Sequence, residues 1–192
     1  MTRETSSITP ELVDRAARGD RQAQQAVLEA QYAFVRNMLF RLAGPIEDLE
    51  DLQQTVLMRI LHKLPTFRGE SSFKSWVGGI CVNEVKNHFR QRRSRARLQS
   101  SARIESLPGE IEPNSEHQVA SNESSRQCQS ALAQLSADQR TAVVLKLGYG
   151  YSIEEIAQMM GSARSTARLR LYYGRKKFLS AMSAGKGALR QS

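Results

Sequence analysis

Cysteine, histidine and long apolar runs are all scarce in this chain, and each scarcity closes off a class of protein. The two cysteines, Cys81 and Cys128, lie far apart and outside any CxxC spacing, so they build neither a disulfide framework nor a zinc or redox site. Both read as small buried apolar residues. The three histidines, His62, His88 and His117, form no HExxH pair and adjoin no cysteine at ligand spacing, so no metal is expected. No stretch approaches the roughly 18 apolar residues of a membrane span. Met1 to Pro10 has none of the apolar core of a signal peptide, so the expectation is a cytoplasmic chain with no membrane insertion. Paired catalytic carboxylates, a Ser/His/Asp order and a Gly-rich phosphate loop are missing as well, which argues against an enzyme or a cofactor site. What the chain has in excess is positive charge. A formal net charge of +9 over 192 residues points to polyanions such as nucleic acid or acidic membrane surfaces.

The charge and the turn residues divide the chain. From Glu11 to about Arg97 the pattern is helical, interrupted at Gly19, Gly44-Pro45 and the stretch Leu64 to Ser72, which delimits a first domain over 8–97. Residues 98–125 carry Pro108, Gly109, Pro113 and many serines, with little to bury, and their charge inverts: Arg103 faces Glu105, Glu110, Glu112, Glu116 and Glu123. This composition predicts a flexible acidic linker. A second helical domain spans 126–182, broken at Leu135-Ser136, Gly148 to Tyr151 and Gly161, and 183–192 reads as a frayed basic tail. Nothing alternates with the period of a strand. The fold class is therefore all-α, two small helical domains on a tether.

Within the second domain Ser152 and Glu155 have capping-box spacing, which starts a helix at Ile153. Ile153, Ile156, Ala157 and Met160 form its buried face, Gly161 supplies a turn residue that tolerates positive φ, and a new helix begins near Ala163 to Ser165. This is a helix-turn-helix pattern. In the second helix Ala167, Leu171, Gly174 and Phe178 recur on one side. At 100° per residue Ser165, Leu169, Tyr172, Tyr173 and Lys176 then point outward, flanked by Arg168, Arg170, Arg175 and Lys177. A helix in the major groove needs cations for phosphates and short polar or apolar groups for base edges, and an exposed leucine can meet a thymine methyl.

In the first domain, Glu47 to Leu64 is amphipathic, with Leu49, Leu52, Val56, Ile60 and Leu64 as its core stripe. The opposite face gathers Asp51, Gln54, Met58, Leu61 and His62, a mixture suited to a protein interface with an apolar centre and a polar rim. Beyond it comes the loop Thr66-Phe67-Arg68-Gly69-Glu70-Ser71-Ser72-Phe73, then a helix that grows basic toward Arg97 through Lys74, Lys86, Arg90, Arg92, Arg93 and Arg95. Aromatic and small polar groups beside cations can stack on an extracted base and read its edge. For Phe67, Phe73 and Trp76 taken individually, the core reading is the stronger one.

Three strings, Glu50-Asp51-Leu52-Gln53-Gln54-Thr55-Val56-Leu57, Leu64 to Trp76, and the helix-turn-helix at Tyr151 to Phe178, together resemble the extracytoplasmic-function (ECF) group of the sigma-70 family of bacterial RNA polymerase sigma factors. The resemblance covers nearly the whole chain. It implies that the first domain, region 2 in the family, binds the clamp helices of core polymerase through Asp51, Gln54, Met58, Leu61 and His62. It further implies that Phe67, Arg68, Ser71, Ser72, Phe73, Lys74, Asn83 and Lys86 open and hold the minus-ten element. The second domain, region 4, would touch the polymerase flap and read the minus-thirty-five element as duplex. Its contact residues would be Arg164, Ser165, Thr166, Arg168, Leu169, Arg170, Tyr172, Tyr173 and Lys176. A monomer that often answers to an anti-sigma factor is the family's habit. The sequence departs from the pattern at Ser162 and Ala163, which replace an apolar residue and a proline, at Leu169 and Tyr173, and at Gly78-Gly79 inside a helix. Such a glycine pair costs about 1 kcal/mol per residue relative to alanine and leaves room for a close neighbour. The alternative reading is a stand-alone regulator that binds a palindromic operator as a symmetric dimer.

Overall fold

Local capping decides where the helices begin. In the computed structural model, which describes residues 8–100 and 123–188, the Thr9 hydroxyl accepts a hydrogen bond from the Leu12 amide at 3.3 Å, and Pro10 occupies the first helical position of α1 (Pro10–Ala17). Asp20 caps α2 (Arg21–Ala43) by accepting from the Gln22 and Ala23 amides. Helix α3 (Leu49–Lys63) runs into a 3-10 turn at Leu64–Thr66. Ser72 then opens α4 (Phe73–Ser100), its hydroxyl accepting from the Ser75 amide at 3.0 Å. After α5 (Glu123–Ala133), full capping boxes start both α6 (Ala137–Val143), through Ser136 and Gln139, and α7 (Ile153–Met160), through Ser152 and Glu155. Each such cap contributes about 1 kcal/mol. Between α6 and α7 the residues Val144–Gly148 widen into a π-helical turn, and α8 (Arg164–Ala188) completes the second unit. Among the described residues there is no strand, so the fold is all-α as the sequence implies.

The first unit is a bundle of α2, α3 and α4. Val35, Met38 and Leu39 of α2 meet Val56 and Ile60 of α3 and Val77, Cys81 and Val82 of α4, all essentially closed to solvent. Burying a side chain of this size contributes about 1.5–3 kcal/mol, so this seam defines the unit. Helix α1 packs on α2 through a satellite cluster of Val13, Ala16, Ala23, Val27 and Leu64. In the second unit α6 crosses α8, where the buried Gly174 lets Val143 and Gln139 approach, and Ile156, Ala157 and Met160 of α7 complete the core with Ala167.

Some expectations shift. Cys81 is buried, and its thiol is pushed up to about 12 by desolvation, but Cys128 is only half-buried, because it sits at the rim of the core on α5. Helix α8 continues to Ala188, through the first residues that composition assigned to a frayed tail. Of the predicted linker, residues 101–122 lie outside the described residues, as do 189–192 of the tail, and so does His117.

Candidate nucleic-acid interface

The helix-turn-helix is built as its local sequence dictates. Ser152 Oγ accepts from the Glu155 amide at 3.2 Å while Glu155 Oε2 accepts from the Ser152 amide at 2.9 Å. Gly161 ends α7 at φ 59°, a left-handed conformation that a side chain would strain. Helix α8 then leaves with Ala167 and Gly174 buried, Leu171 and Phe178 half-buried, and the opposite face open. Leu169, Tyr172 and Tyr173 are 56%, 63% and 53% exposed, large apolar surface that no neighbour among the described residues covers. The two tyrosine rings meet edge to face at 5.3 Å. Ser165, Arg168 and Lys176 are exposed beside them, and Thr166 is half-buried. Two of the predicted cations are engaged in ion pairs, Arg164 with Glu154 at 2.6 Å and Arg170 with Asp138 at 2.7 Å. Exposed pairs of this kind contribute only about 0–1 kcal/mol and exchange readily for a phosphate.

In the first unit, the loop after the 3-10 turn is held by its aromatic ends. Phe67, Phe73 and Trp76 form one ring cluster with centroids 5.3–5.5 Å apart, half-buried against both hydrophobic clusters. The core role therefore accounts for these rings, while Arg68, Ser72, Lys74 and Asn83 stay exposed and Ser71 half-buried. Lys86 is different. Its ammonium donates to the Met160 carbonyl of α7 at 2.7 Å, and desolvation lowers its pKa.

On α3 the outward face comes together as spacing predicts. Asp51, Gln54, Met58 and His62 line one open groove with Thr55 and Arg59, and Met58 is 65% exposed, whereas Leu61 lies half-buried to the side. Arg59 is anchored by Glu84 of α4 at 3.2 Å. Among the described residues no cluster of histidine, cysteine or carboxylate could hold a metal ion, and no helix is long and apolar enough to cross a membrane.

The sequence reading did not anticipate contact between the two units. Helix α7 lies across α4: the Tyr151 hydroxyl donates to the Lys74 carbonyl at 3.1 Å and the Ser75 hydroxyl donates to Glu155 Oε1 at 2.6 Å. On the other flank Arg140 Nε donates to the Arg41 carbonyl at 2.9 Å, the Arg41 guanidinium stands over the Tyr149 ring, and Phe34 meets that ring edge-on at 5.5 Å. Burial pushes the Tyr149 phenol up to about 12. Gly78 and Gly79, conspicuous inside α4, are where α7 rests; a Cβ on Gly78 would stand 3.1 Å from the Tyr151 hydroxyl and 3.4 Å from Met159 Cε. That glycine pair was the one signal in the sequence that could have located the contact.

These features define a helical DNA-binding protein of two unlike units, one with a helix-turn-helix and one with a basic helix behind a pinned loop. Comparison with known proteins makes this specific. Residues 27–95 match the family description Sigma-70 region 2 and residues 125–178 match Sigma-70, region 4. Similar relatives include the RNA polymerase sigma-H factor of Pseudomonas aeruginosa, 28% identical over 86% of this chain and 89% of the relative. The ECF RNA polymerase sigma-E factor of Escherichia coli K12 is likewise 28% identical over the same shares of the two chains. Among solved structures, the sigma factor RpoE in complex with the anti-sigma factor NepR from Bartonella quintana aligns with a TM-score of 0.65 at 27% identity, covering 83% of this chain and 96% of that one. The chain belongs to the ECF group of the sigma-70 family of RNA polymerase sigma factors. A stand-alone operator-binding regulator has no use for a region 2 unit, so the family match favours the sigma-factor reading over that alternative.

Proposed function

We propose that the chain confers promoter specificity on bacterial RNA polymerase by dividing the work among three of its surfaces. The α3 groove of Asp51, Gln54, Met58 and His62 docks on core polymerase. Its exposed methionine supplies an apolar centre and its polar neighbours the rim, as interfaces with a protein partner require. The loop from Phe67 to Phe73, with Lys74 and Asn83, receives bases of the minus-ten element once the strands separate. The outward face of α8, centred on Arg168, Leu169, Tyr172 and Tyr173, reads the minus-thirty-five element in the major groove. The observation that carries this reading is the pairing of an open apolar-and-cationic α8 face with a region 2 unit in one chain. The protein acts as a monomer in the cytoplasm, is not an enzyme in its own right, and answers to an anti-sigma protein, a partner seen with its structural relative.

Run-off transcription with purified core polymerase on genomic fragments tests the proposal. Core alone should give only non-specific initiation, and core with this chain discrete transcripts from a subset of fragments. Identical transcript patterns with and without the chain would refute it.

A further inference from the structure

What α8 carries to a groove of DNA is a restricted set of side chains. From Arg164 to Ala188 it contains no Asn, Gln, Asp or Glu, so it lacks both the amide pair that grips adenine and the carboxylate that accepts from cytosine. Arginine, the reader of guanine, is present but mostly engaged elsewhere. Arg164 is held by Glu154 and Arg170 by Asp138 of α6, which leaves Arg168 on the outward face of the first half of the helix. The rest of that face is apolar. Leu169, Tyr172 and Tyr173 are each more than half exposed, and the edge-to-face contact of the two rings joins them into one surface.

We propose that this face selects thymine: Leu169, Tyr172 and Tyr173 pack on the 5-methyl groups of thymines in the minus-thirty-five element. The proposal rests on the assignment of α8 to that element. The thymine methyl is the apolar group that a base pair presents in the major groove, the other edge groups there being hydrogen-bond donors and acceptors. An apolar side chain set against a G·C edge strips water from those groups and returns no hydrogen bond, so a surface that gains by meeting a methyl also penalises its absence. Spacing agrees. Ser165, Leu169 and Tyr172 lie on one stripe of the helix, about 10 Å long at roughly 1.5 Å per residue, which matches about three base pairs at roughly 3.4 Å each. The basic run of Arg175, Lys176 and Lys177 follows a turn further along, exposed and placed for phosphates.

The test uses deoxyuridine, which lacks the 5-methyl of thymine and keeps all of its hydrogen-bonding groups. A promoter that the full chain activates on core polymerase is randomised across its upstream element and selected for transcription. Thymine should emerge at more than one upstream position, on either strand, and a selected element without thymine overturns the proposal. Replacing those thymines with deoxyuridine one at a time should weaken promoter binding by the polymerase and chain together about fourfold per contacted methyl. In Leu169→Ala the loss should disappear at one of these positions and in Tyr172→Ala at another, while Tyr172→Phe, which keeps the ring, should restore it. Both side chains face solvent, so these substitutions spare the fold. If deoxyuridine has no effect while either alanine variant changes the selected sequence, methyl reading is overturned and α8 remains the reader. A uracil effect of equal size in the native chain and in both alanine variants also overturns it, because the methyl then acts through the shape of the duplex. If neither the analogue nor the alanine variants alter recognition, the assignment of α8 to the upstream element fails with it.

Discussion

Gly174 and Gly79 lie inside long helices, and propensity alone says that alanine should stabilise both by about 1 kcal/mol. The structure predicts opposite signs. At Gly174 an added Cβ would lie 2.9 Å from Val143 Cγ2, 3.1 Å from Gln139 Cβ and 3.1 Å from the Gln139 carbonyl oxygen. Carbon contacts are comfortable at about 3.5–4.0 Å, and a main-chain carbonyl cannot rotate away as a side-chain end can. Overpacking of this kind costs about 1–3 kcal/mol, which exceeds the propensity gain and forces α8 away from α6. Gly174→Ala should therefore destabilise by about 1 kcal/mol net, lowering Tm by about 2–4 °C in a chain of this length. At Gly79 the new Cβ meets only Met159 Cγ at 3.8 Å, an ordinary contact, so Gly79→Ala should raise Tm by about the same amount. Thermal unfolding followed by far-UV circular dichroism reads both. If the two substitutions moved Tm in the same direction, either the α6–α8 crossing or the α4–α7 seating would be wrongly drawn.

Asp51→Ala, on the exposed face of α3, should weaken binding to core polymerase by about 1–2 kcal/mol with Tm unchanged; fluorescence titration with core measures the first, and an unaltered affinity removes α3 from the interface. Tyr172→Ala should cost about 1–3 kcal/mol in duplex recognition and alter the preferred upstream sequence, read by run-off on a library of upstream elements; an unchanged preference refutes the reading face. Glu155 carries a pH signature. The Ser75 hydroxyl, then the Ser152 amide, hold its carboxyl below the ordinary range. A lowered acid pKa gives stability that is complete above the ordinary carboxylate value, about 4.3, and is lost as pH falls through the lowered one. The Tm advantage of the native chain over Glu155→Gln should thus be constant near neutrality and vanish in acid, and an advantage independent of pH would contradict the hydrogen bonds.

What was legible in the sequence was what local chemistry determines. Ser152, Glu155 and Gly161 mark α7 and its exit because a cap, its partner and a left-handed turn lie within ten residues of one another. The α3 stripe and the α8 outward face follow from helical period, and Leu52, Val56 and Ile60 are buried accordingly. The contact of the two units was not legible. Ser75 and Glu155 show no mutual spacing, and Tyr149 looks like any residue of a Gly-rich turn until Phe34 and Arg41 close on it. Lys86 illustrates the same limit, since a basic helix gives no sign that one of its lysines bonds a carbonyl of a different helix.

The ring cluster of Phe67, Phe73 and Trp76 fastens both ends of a five-residue span to the same anchor. Because the anchor holds its own shape, the intervening Arg68, Glu70 and Ser71 can exchange side chains without disturbing the helices on either side, while Gly69 keeps the turn at φ 72° and Ser72 keeps the cap of α4. Such a bracket uncouples what a protein recognises from what keeps it folded, so the taste of this loop can drift through mutation while its mounting stays put.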